Sequence, residues 1–552
     1  MNARKAPAVA VPAAAVPAAA VPAAAVSAAA ATAAGEPVAD VSTVERSATH
    51  AGPTGQQRRV RADERFIGLD LGSTAIKGVA VSGAGDVVST ASAAMERLPN
   101  ADGATFEIDP EAFIQSIFAL IARLSPDPAK TLAISWVAAS GNILLLDGQD
   151  QPLAPMISWL DERPLDGSIE TACAAVDAKA LYESVGWPLS RQFPYCRLLW
   201  LRARYPQLLE RCRRICTGND WLGYRLTGSW AIDRSTATTM YVYDQAAGSK
   251  HAGRLAQLGL APAMFSELRE SGSFLGMVQP ALRDLTGLGP DTSAWLGSFD
   301  HPGAARALGI HTRDQLMLSC GTSWVGLVLL PDRARGIEAQ LLIDPYESGS
   351  GGDWCGMFSL TSIGKRIDAW FDAIFQAGMG MCHELEVPAG GGRDARFEIL
   401  NRLAAQTDPL GDIPILDLGA LRADVTSVTA LLRAFGPGAS FRGLMESAAF
   451  EFRRLLGARL PFVPEIRELA MVGGPANSPA WRQIVADALG RPLGVRFASH
   501  AGAVGAALMA ARGAGHQLCM REPVITIVPD GKASHALDER YQRFVSGNST
   551  RP

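Results

Sequence analysis

The sequence predicts an α/β protein built as two similar halves that face each other across a cleft. Three observations carry this expectation. From residue 66 onward, strand-like apolar runs alternate with helix-like amphipathic ones, the pattern of a layered α/β architecture. One device, an apolar run broken by a small-residue turn and then resumed, occurs twice: FIGLDLGSTAIKGVAVSGAGDVV at 66–88 and QLMLSCGTSWVGLVLL at 315–330. Asp70 and Gly321 stand 251 positions apart, enough for a whole domain to intervene.

Composition sets the outer bounds. At 552 residues the chain exceeds a soft prior of ~150 residues per domain, so two or more domains are expected. A formal net charge of -4, with the short RRVRADER stretch at 58–65 as the densest basic block, gives no field for nucleic acid. Eight cysteines are scattered. The close pair Cys212 and Cys216 has no second pair or histidine at zinc-ligand spacing, so reduced cysteines in a cytoplasmic protein are expected.

Residues 1–63 read as a disordered tail, because alanine, valine and proline repeat at a five-residue period with almost nothing large enough to pack. Arg4 and Lys5 before this stretch suggest a signal peptide as the rival, but the prolines and the lack of leucine make a poor apolar segment. No run of about 20 strongly apolar residues follows, so no membrane span is expected.

Beyond the first hairpin, PEAFIQSIFALIARL at 110–124 places Phe113, Ile117, Leu120, Ile121 and Leu124 on one helical stripe, and TLAISWVAAS returns as a strand. Phosphate is the natural guest of two facing glycine-hydroxyl hairpins. Turn N–H groups and Ser/Thr hydroxyls donate to its oxygens, and glycine lets backbone approach closely. Asp70 would then hold a hydrated Mg2+ beside the phosphates. A plain β-turn accounts for DLGST equally well when that stretch is taken alone.

Three further stretches narrow the reading. MVGGPANSPAWRQIVADALGRPL at 471–493 is a strand, a double glycine and a helix, so Gly473 and Gly474 would let an adenine lie against backbone. WLGSFDHPGAARALG at 295–309 puts Asp300 at the end of an apolar segment, where a helix N-cap is the plainer role. QFPYCRLLWLRARYPQLLERCRRICTGNDWLGYRLTG at 192–228 joins two helices through a short strand. In this order and at these separations, the set resembles the FGGY carbohydrate kinases over about residues 66–512, and ITIVPDGKASHALDERYQRF resembles their closing segment.

That resemblance implies two ribonuclease-H-like, actin-like ATPase domains around a central cleft: an N-terminal sugar-binding domain at 64–310, a C-terminal nucleotide-binding domain at 311–515, and a closing segment at 516–552. It implies ATP, Mg2+ and phosphate transfer to a hydroxyl of a sugar, ketose or polyol. Gly72, Ser73, Thr74 and Lys77 match the first phosphate hairpin, with Asp70 as the metal-side carboxylate. Gly321, Thr322 and Ser323 match the second hairpin, and Gly473, Gly474 and Asn477 the adenosine motif. Ser447 to Glu451, within FRGLMESAAFEFRRLL, match the helix that lines the nucleotide. Asp300 takes the catalytic position, where a carboxylate orients the acceptor hydroxyl and removes its proton.

The stretch ISWVAASGNILLLDGQDQPLAPMISWLDER resembles the sugar-site segment, with Trp159, Asp161 and Arg163 as its closing set. Ser140 and Gly141 replace the Arg-Glu pair of glycerol kinases and the Met-His pair of xylulokinases. Smaller side chains there leave room for a bulkier acceptor unless a loop shift fills the gap. Arg197 stands where lysine is usual, and His500 where many members carry glutamate. Ser140, Trp159, Asp161 and His301 are the candidate acceptor contacts. Rival readings are an actin- or Hsp70-like ATPase, or a catalytically weak paralogue, acting through protein partners. The sequence does not choose between a monomer and a homodimer.

Overall fold

In the computed structural model, the described residues are 60–547 except 101, 380, 386, 388–391, 417, 419–424, 460, 462–464 and 498. The Ala/Pro-rich segment, expected to be disordered, lies outside them up to residue 59. The last residues of the expected tail are packed: Val60 lies against the core, and Arg61 N–H donates to Glu64 Oε2 at 2.7 Å.

Two large sheets dominate the described residues. The first contains β1 (Arg65–Leu71), β2 (Ala75–Ser82), β3 (Val87–Ala94), β4 (Thr131–Ala138), β5 (Phe274–Met277) and β6 (Ser293–Phe299), in spatial order β5-β6-β4-β1-β2-β3. The second contains β7 (Gln315–Cys320), β8 (Trp324–Leu330), β9 (Leu342–Asp344), β10 (Trp354–Leu360), β11 (Glu468–Gly473), β12 (Leu493–Val495) and β13 (Ile525–Ile527), ordered β9-β10-β8-β7-β11-β12-β13. Each has a hairpin beside two parallel neighbours, β1-β4-β6 in one and β7-β11-β12 in the other, closed by an antiparallel strand. The twice-used sequence device is therefore a twice-used sheet.

The central strands are nearly continuous apolar runs because both sheet faces are covered. Phe66, Ile67 and Leu69 on β1 and Leu316, Met317 and Leu318 on β7 are fully buried. Helix α1 (Pro110–Leu124) starts where the Asp109 carboxylate accepts from Glu111 and Ala112 N–H. The expected stripe of α1 packs over Gly78, where a Cβ would stand 2.5 Å from Leu120.

Later helices include α2 (Pro194–Arg204), α3 (Asp300–Leu308), α4 (Ile363–Gly378), α5 (Val425–Arg459, broken at Gly436), α6 (Pro479–Leu489), α7 (Ala501–Gly513) and α8 (Gly531–Val545). Although α7 follows the second sheet in the chain, it packs on β1, β4, β6 and α3 of the first half. The closing segment returns to the second half: β13 extends its sheet, and α8 packs on α5 and α6. No described helix is long and apolar enough to cross a membrane.

Candidate active site

Sheet register brings the two key carboxylates together. Asp70 on β1 lies level with Val137 on β4, and Val137 lies level with Ser298 on β6, two residues before Asp300 opens α3. Burial pushes the half-buried Asp70 carboxyl up to about 7, the nearby Asp300 charge adds to the rise, and Lys77 opposes it. Lys77 is the cross-strand partner of Asp70, and its Nζ donates to Ser499 O at 3.1 Å. Asp300 is half-buried, and its Oδ1 accepts the His301 N–H at 2.7 Å.

The first hairpin, Gly72 to Thr74, joins β1 to β2 just beyond Asp70, and Ser73 Oγ accepts the Trp159 indole N–H at 3.0 Å. The second, Gly321 to Ser323, joins β7 to β8 and is braced from outside: Ser362 N–H donates to Ser323 Oγ at 3.0 Å and Gly364 N–H to Thr322 O at 3.0 Å. Next to it, Gly473 has φ +99° and a Cβ there would stand 2.1 Å from Cys320 O, so glycine is required. Gly474 has no atom within 4 Å of its would-be Cβ, an open stretch of backbone that a flat base can approach.

Gly321, Thr322, Gly474 and Asn477 share one cavity of about 610 Å³ with Lys365 and Asn401, walled by Trp324 and Trp481. Lys365 and Asn401 lie outside every motif in the sequence. Two expected residues do not line this cavity, which is a correction. Ser447 is fully buried on α5 and its Oγ accepts Leu416 N–H at 2.8 Å, so it anchors a core segment. Glu451 is paired with Arg454 at 2.7 Å. The face of α5 carrying this stretch packs inward or toward solvent, away from the cavity.

The acceptor-side candidates divide likewise. Ser140 is buried, donates to Thr236 O at 3.0 Å and contacts Thr239 Oγ1, so its hydroxyl is spent internally. Asp161 is also buried: one oxygen accepts Phe106 N–H at 2.8 Å, and both are held by Arg163, which also pairs with Glu107. These two frame the site from below and offer no free group to an acceptor. Trp159 and His301 keep exposed surface, beside Ser73 and Asp300 respectively.

The expected extra room at Ser140 and Gly141 is filled. Gly141 has φ +100°, and a Cβ there would stand 2.7 Å from the Phe193 ring and 3.0 Å from Trp159 Cβ. Arg197, fully buried on α2, donates to Gly141 O at 2.8 Å and Asp161 O at 3.3 Å. Burial pushes its guanidinium down to about 9, with the Asp161 charge acting in the other direction. Its planar fork spans two carbonyls, which a lysine ammonium does less well.

Comparison with known proteins now adds to this geometry. Residues 65–306 match the N-terminal domain of the FGGY family of carbohydrate kinases, and residues 316–514 match its C-terminal domain. The chain belongs to the FGGY family of carbohydrate kinases. It is 24% identical to a gluconokinase of Bacillus licheniformis over 263 residues, covering 47% of this chain and 50% of that protein. The chain thus spans about half the length of that relative. It is 26% identical over 379 residues to an autoinducer-2 kinase of Klebsiella pneumoniae, covering 63% and 69% of the two chains. Its fold is shared with a xylulose kinase of Rhodospirillum rubrum at a TM-score of 0.70 and 23% identity, covering 88% and 98% of the two chains. The FGGY chain therefore has the two-domain, actin-like ATPase fold that its resemblance to the family implied.

Residues that sequence reading missed lie far apart in the chain. Gly502 opens α7 so close to Asp70 that a Cβ would stand 2.6 Å from Asp70 Oδ2. Ser235 Oγ accepts the Phe299 N–H at 3.0 Å, one residue before Asp300, and itself contacts the buried carboxylate of Asp344 from the second half. Six cysteines, Cys212 and Cys216 among them, are free and buried, while Cys382 is half-buried and Cys519 exposed.

Proposed function

We propose that this protein is an ATP-dependent kinase that transfers the γ-phosphoryl group to a hydroxyl of a sugar, ketose or polyol, with Asp300 as general base. The observation that carries the reading is the Asp70–Asp300 pair at the ends of level strands, beside the Gly72–Thr74 hairpin. The base and ribose of ATP would occupy the 610 Å³ cavity against Gly474 and Asn477, leading the phosphates toward Gly321 and Thr322. Hairpin N–H groups and the hydroxyls of Ser73, Thr74 and Thr322 would donate to phosphate oxygens, and Lys77 would add a positive charge.

The donor set suits Mg2+, which takes one or two carboxylates and completes its shell with water and phosphate oxygens. Asp70 fits that demand, since it is a carboxylate held high by burial and by a like charge, with Lys77 as its opposing cation. Bound through water to Asp70, the ion would neutralise phosphate charge. Asp300 keeps one oxygen on His301 N–H and turns the other toward the acceptor, whose hydroxyl it orients and deprotonates as the new P–O bond forms. Trp159 and His301 are placed to bound the acceptor. Ser140 and Asp161 hold the floor beneath it. Approach of the two halves would exclude water and limit wasteful hydrolysis.

The test is ADP formation against a panel of ketoses, aldoses, alditols and sugar acids, with a no-acceptor control and Asp300→Asn alongside. The expected result is acceptor-dependent turnover that the substitution removes. Acceptor-independent hydrolysis, or no turnover with any acceptor although ATP binds, would overturn the reading.

A further inference from the structure

A second cavity, of about 340 Å³, adjoins the nucleotide cavity across Asn477. Neither phosphate hairpin lines it. Its walls come from both halves: Val87 at the start of β3, the loop between β12 and α7, and the approach to β13. Its charged lining is Arg482, Arg496 and His500 against a single acid, Glu522. Lys77 reaches the same loop through Ser499 O.

These cations are incompletely used. Arg482 spends Nε on Ala476 O, and its terminal nitrogens have no hydrogen-bond partner among the described residues. Arg496 Nη2 donates to Met520 O at 2.6 Å, while its Nε is buried without a partner. The His500 Nδ1 atom is likewise buried without a partner. A buried polar nitrogen left without a partner is costly, and an occupant that supplies oxygens would relieve that cost. The volume lies in the range of pockets for small organic ligands, and Phe497 and Val504 give one side an apolar surface. Guanidinium forks match the oxygen geometry of a phosphate group.

We propose that this cavity is a second binding site, for a small phosphomonoester, separate from the nucleotide and acceptor sites. Because one wall belongs to the first half and the rest to the second, an occupant binds better when the halves hold this arrangement, and it shifts the population toward it. His500, whose imidazole is held below its ordinary pKa by burial and by Lys77 with the Glu522 charge acting the other way, would offer the occupant a neutral ring N–H. The position that departs from the family pattern thereby acquires a role.

The experiment is isothermal titration of the full chain with phenyl phosphate, with and without saturating ADP, beside inorganic phosphate, phenol and benzoate. Phenyl phosphate is expected to bind one equivalent in both conditions, no more weakly with ADP than without it, inorganic phosphate more weakly, and phenol and benzoate not at all. Arg496→Ala should weaken binding by about tenfold or more, as loss of a charge-assisted contact implies. Ser499→Asp, at an exposed position, should do the same without removing a buried group. Binding abolished by ADP would assign the site to the nucleotide, and benzoate binding as tightly would overturn the phosphate assignment. Unchanged binding in both variants, or no binding by about 10 mM, would refute the proposal.

Discussion

Replacing Asp300 with asparagine tests the proposed base apart from the scaffold, because one carboxylate oxygen has a backbone partner that the amide can keep. Oδ1 accepts the His301 N–H at 2.7 Å, and an asparagine carbonyl oxygen can keep that bond. Stability should therefore change by less than about 1 kcal/mol. The second oxygen becomes an amide that cannot accept a proton. Loss of a general base is worth 10²–10⁴-fold, or roughly 3–5 kcal/mol of transition-state stabilisation. A second consequence distinguishes this substitution from simple damage. Removing the Asp300 charge takes away one of the two influences that raise the Asp70 carboxyl, so Asp70 ionises more readily and MgADP should bind as well as before, or more tightly, at pH 6.5. The assay pairs acceptor-dependent ADP formation with calorimetric MgADP binding and a melting curve. A variant with intact melting and intact MgADP binding that keeps wild-type kcat would refute the base assignment.

The raised Asp70 carboxyl also predicts a pH dependence. Its folded value of about 7 lies above an unfolded value near 4, so the stability it contributes is fully present below pH ~4 and is lost as pH rises through 7. Asp70→Asn should accordingly flatten the fall in apo-protein melting temperature between pH 5 and 8. Mg2+ needs the ionised form, so MgADP affinity should rise about tenfold from pH 6 to 8, following the ionised fraction; metal-free ADP with EDTA should show no such rise, and a rise there would sink the assignment. Gly505→Ala places a Cβ 1.9 Å from Gly303 O and should cost about 1–3 kcal/mol by overpacking, read as a lowered melting midpoint; an unchanged midpoint would show that α7 can move aside. Arg197→Lys offers one point donor to the two carbonyls of Gly141 and Asp161. It should destabilise by about 1–3 kcal/mol, with Arg197→Met worse; melting equal to wild type in both would deny Arg197 its bracing role.

The parts of the site that the sequence made legible are those in which a short contiguous stretch carries both the local shape and the chemistry. The hairpins at Gly72 and Gly321, the double glycine at 473–474 and the strand end before Asp300 are of this kind. Each is an apolar strand interrupted where small residues or a carboxylate must stand. Ser447 and Glu451 failed for a reason of geometry: an amphipathic helix declares which residues are apolar, but its neighbours decide whether a polar residue on the edge of that stripe meets a cavity, a core segment or solvent. The Ser140–Gly141 gap failed because Phe193, some fifty residues away, supplies the missing volume. Asp161 looked free in WLDER, yet its partner stands two residues on, a half-buried Arg163 that bridges the buried Asp161 to Glu107. Lys365 and Asn401 belong to segments with no repeat or turn signature, and only the fold brings them to the nucleotide cavity.

Helix α7 explains how sequence from the second half helps hold the pair of carboxylates at the strand ends of the first sheet. A Cβ on Gly68 of β1 would stand 1.9 Å from Ala503 O, one on Gly505 would stand 1.9 Å from Gly303 O, and one on Gly502 would stand 2.6 Å from Asp70 Oδ2. These are backbone-to-backbone and backbone-to-carboxylate approaches, with no side chain between them to flex. A helix seated in this way cannot slide on β1 or α3 without collision, so it moves with the first half although its chain belongs to the second. Relative motion of the halves must then be absorbed where α7 joins the second sheet, in the connection to β13 at 514–524 and in the loop that carries Arg496, Ser499 and His500. That loop faces Lys77 on one side and the 340 Å³ cavity on the other. Arg496 and His500, which an anion in that cavity would touch, therefore stand on one of the two segments that join α7 to the second half.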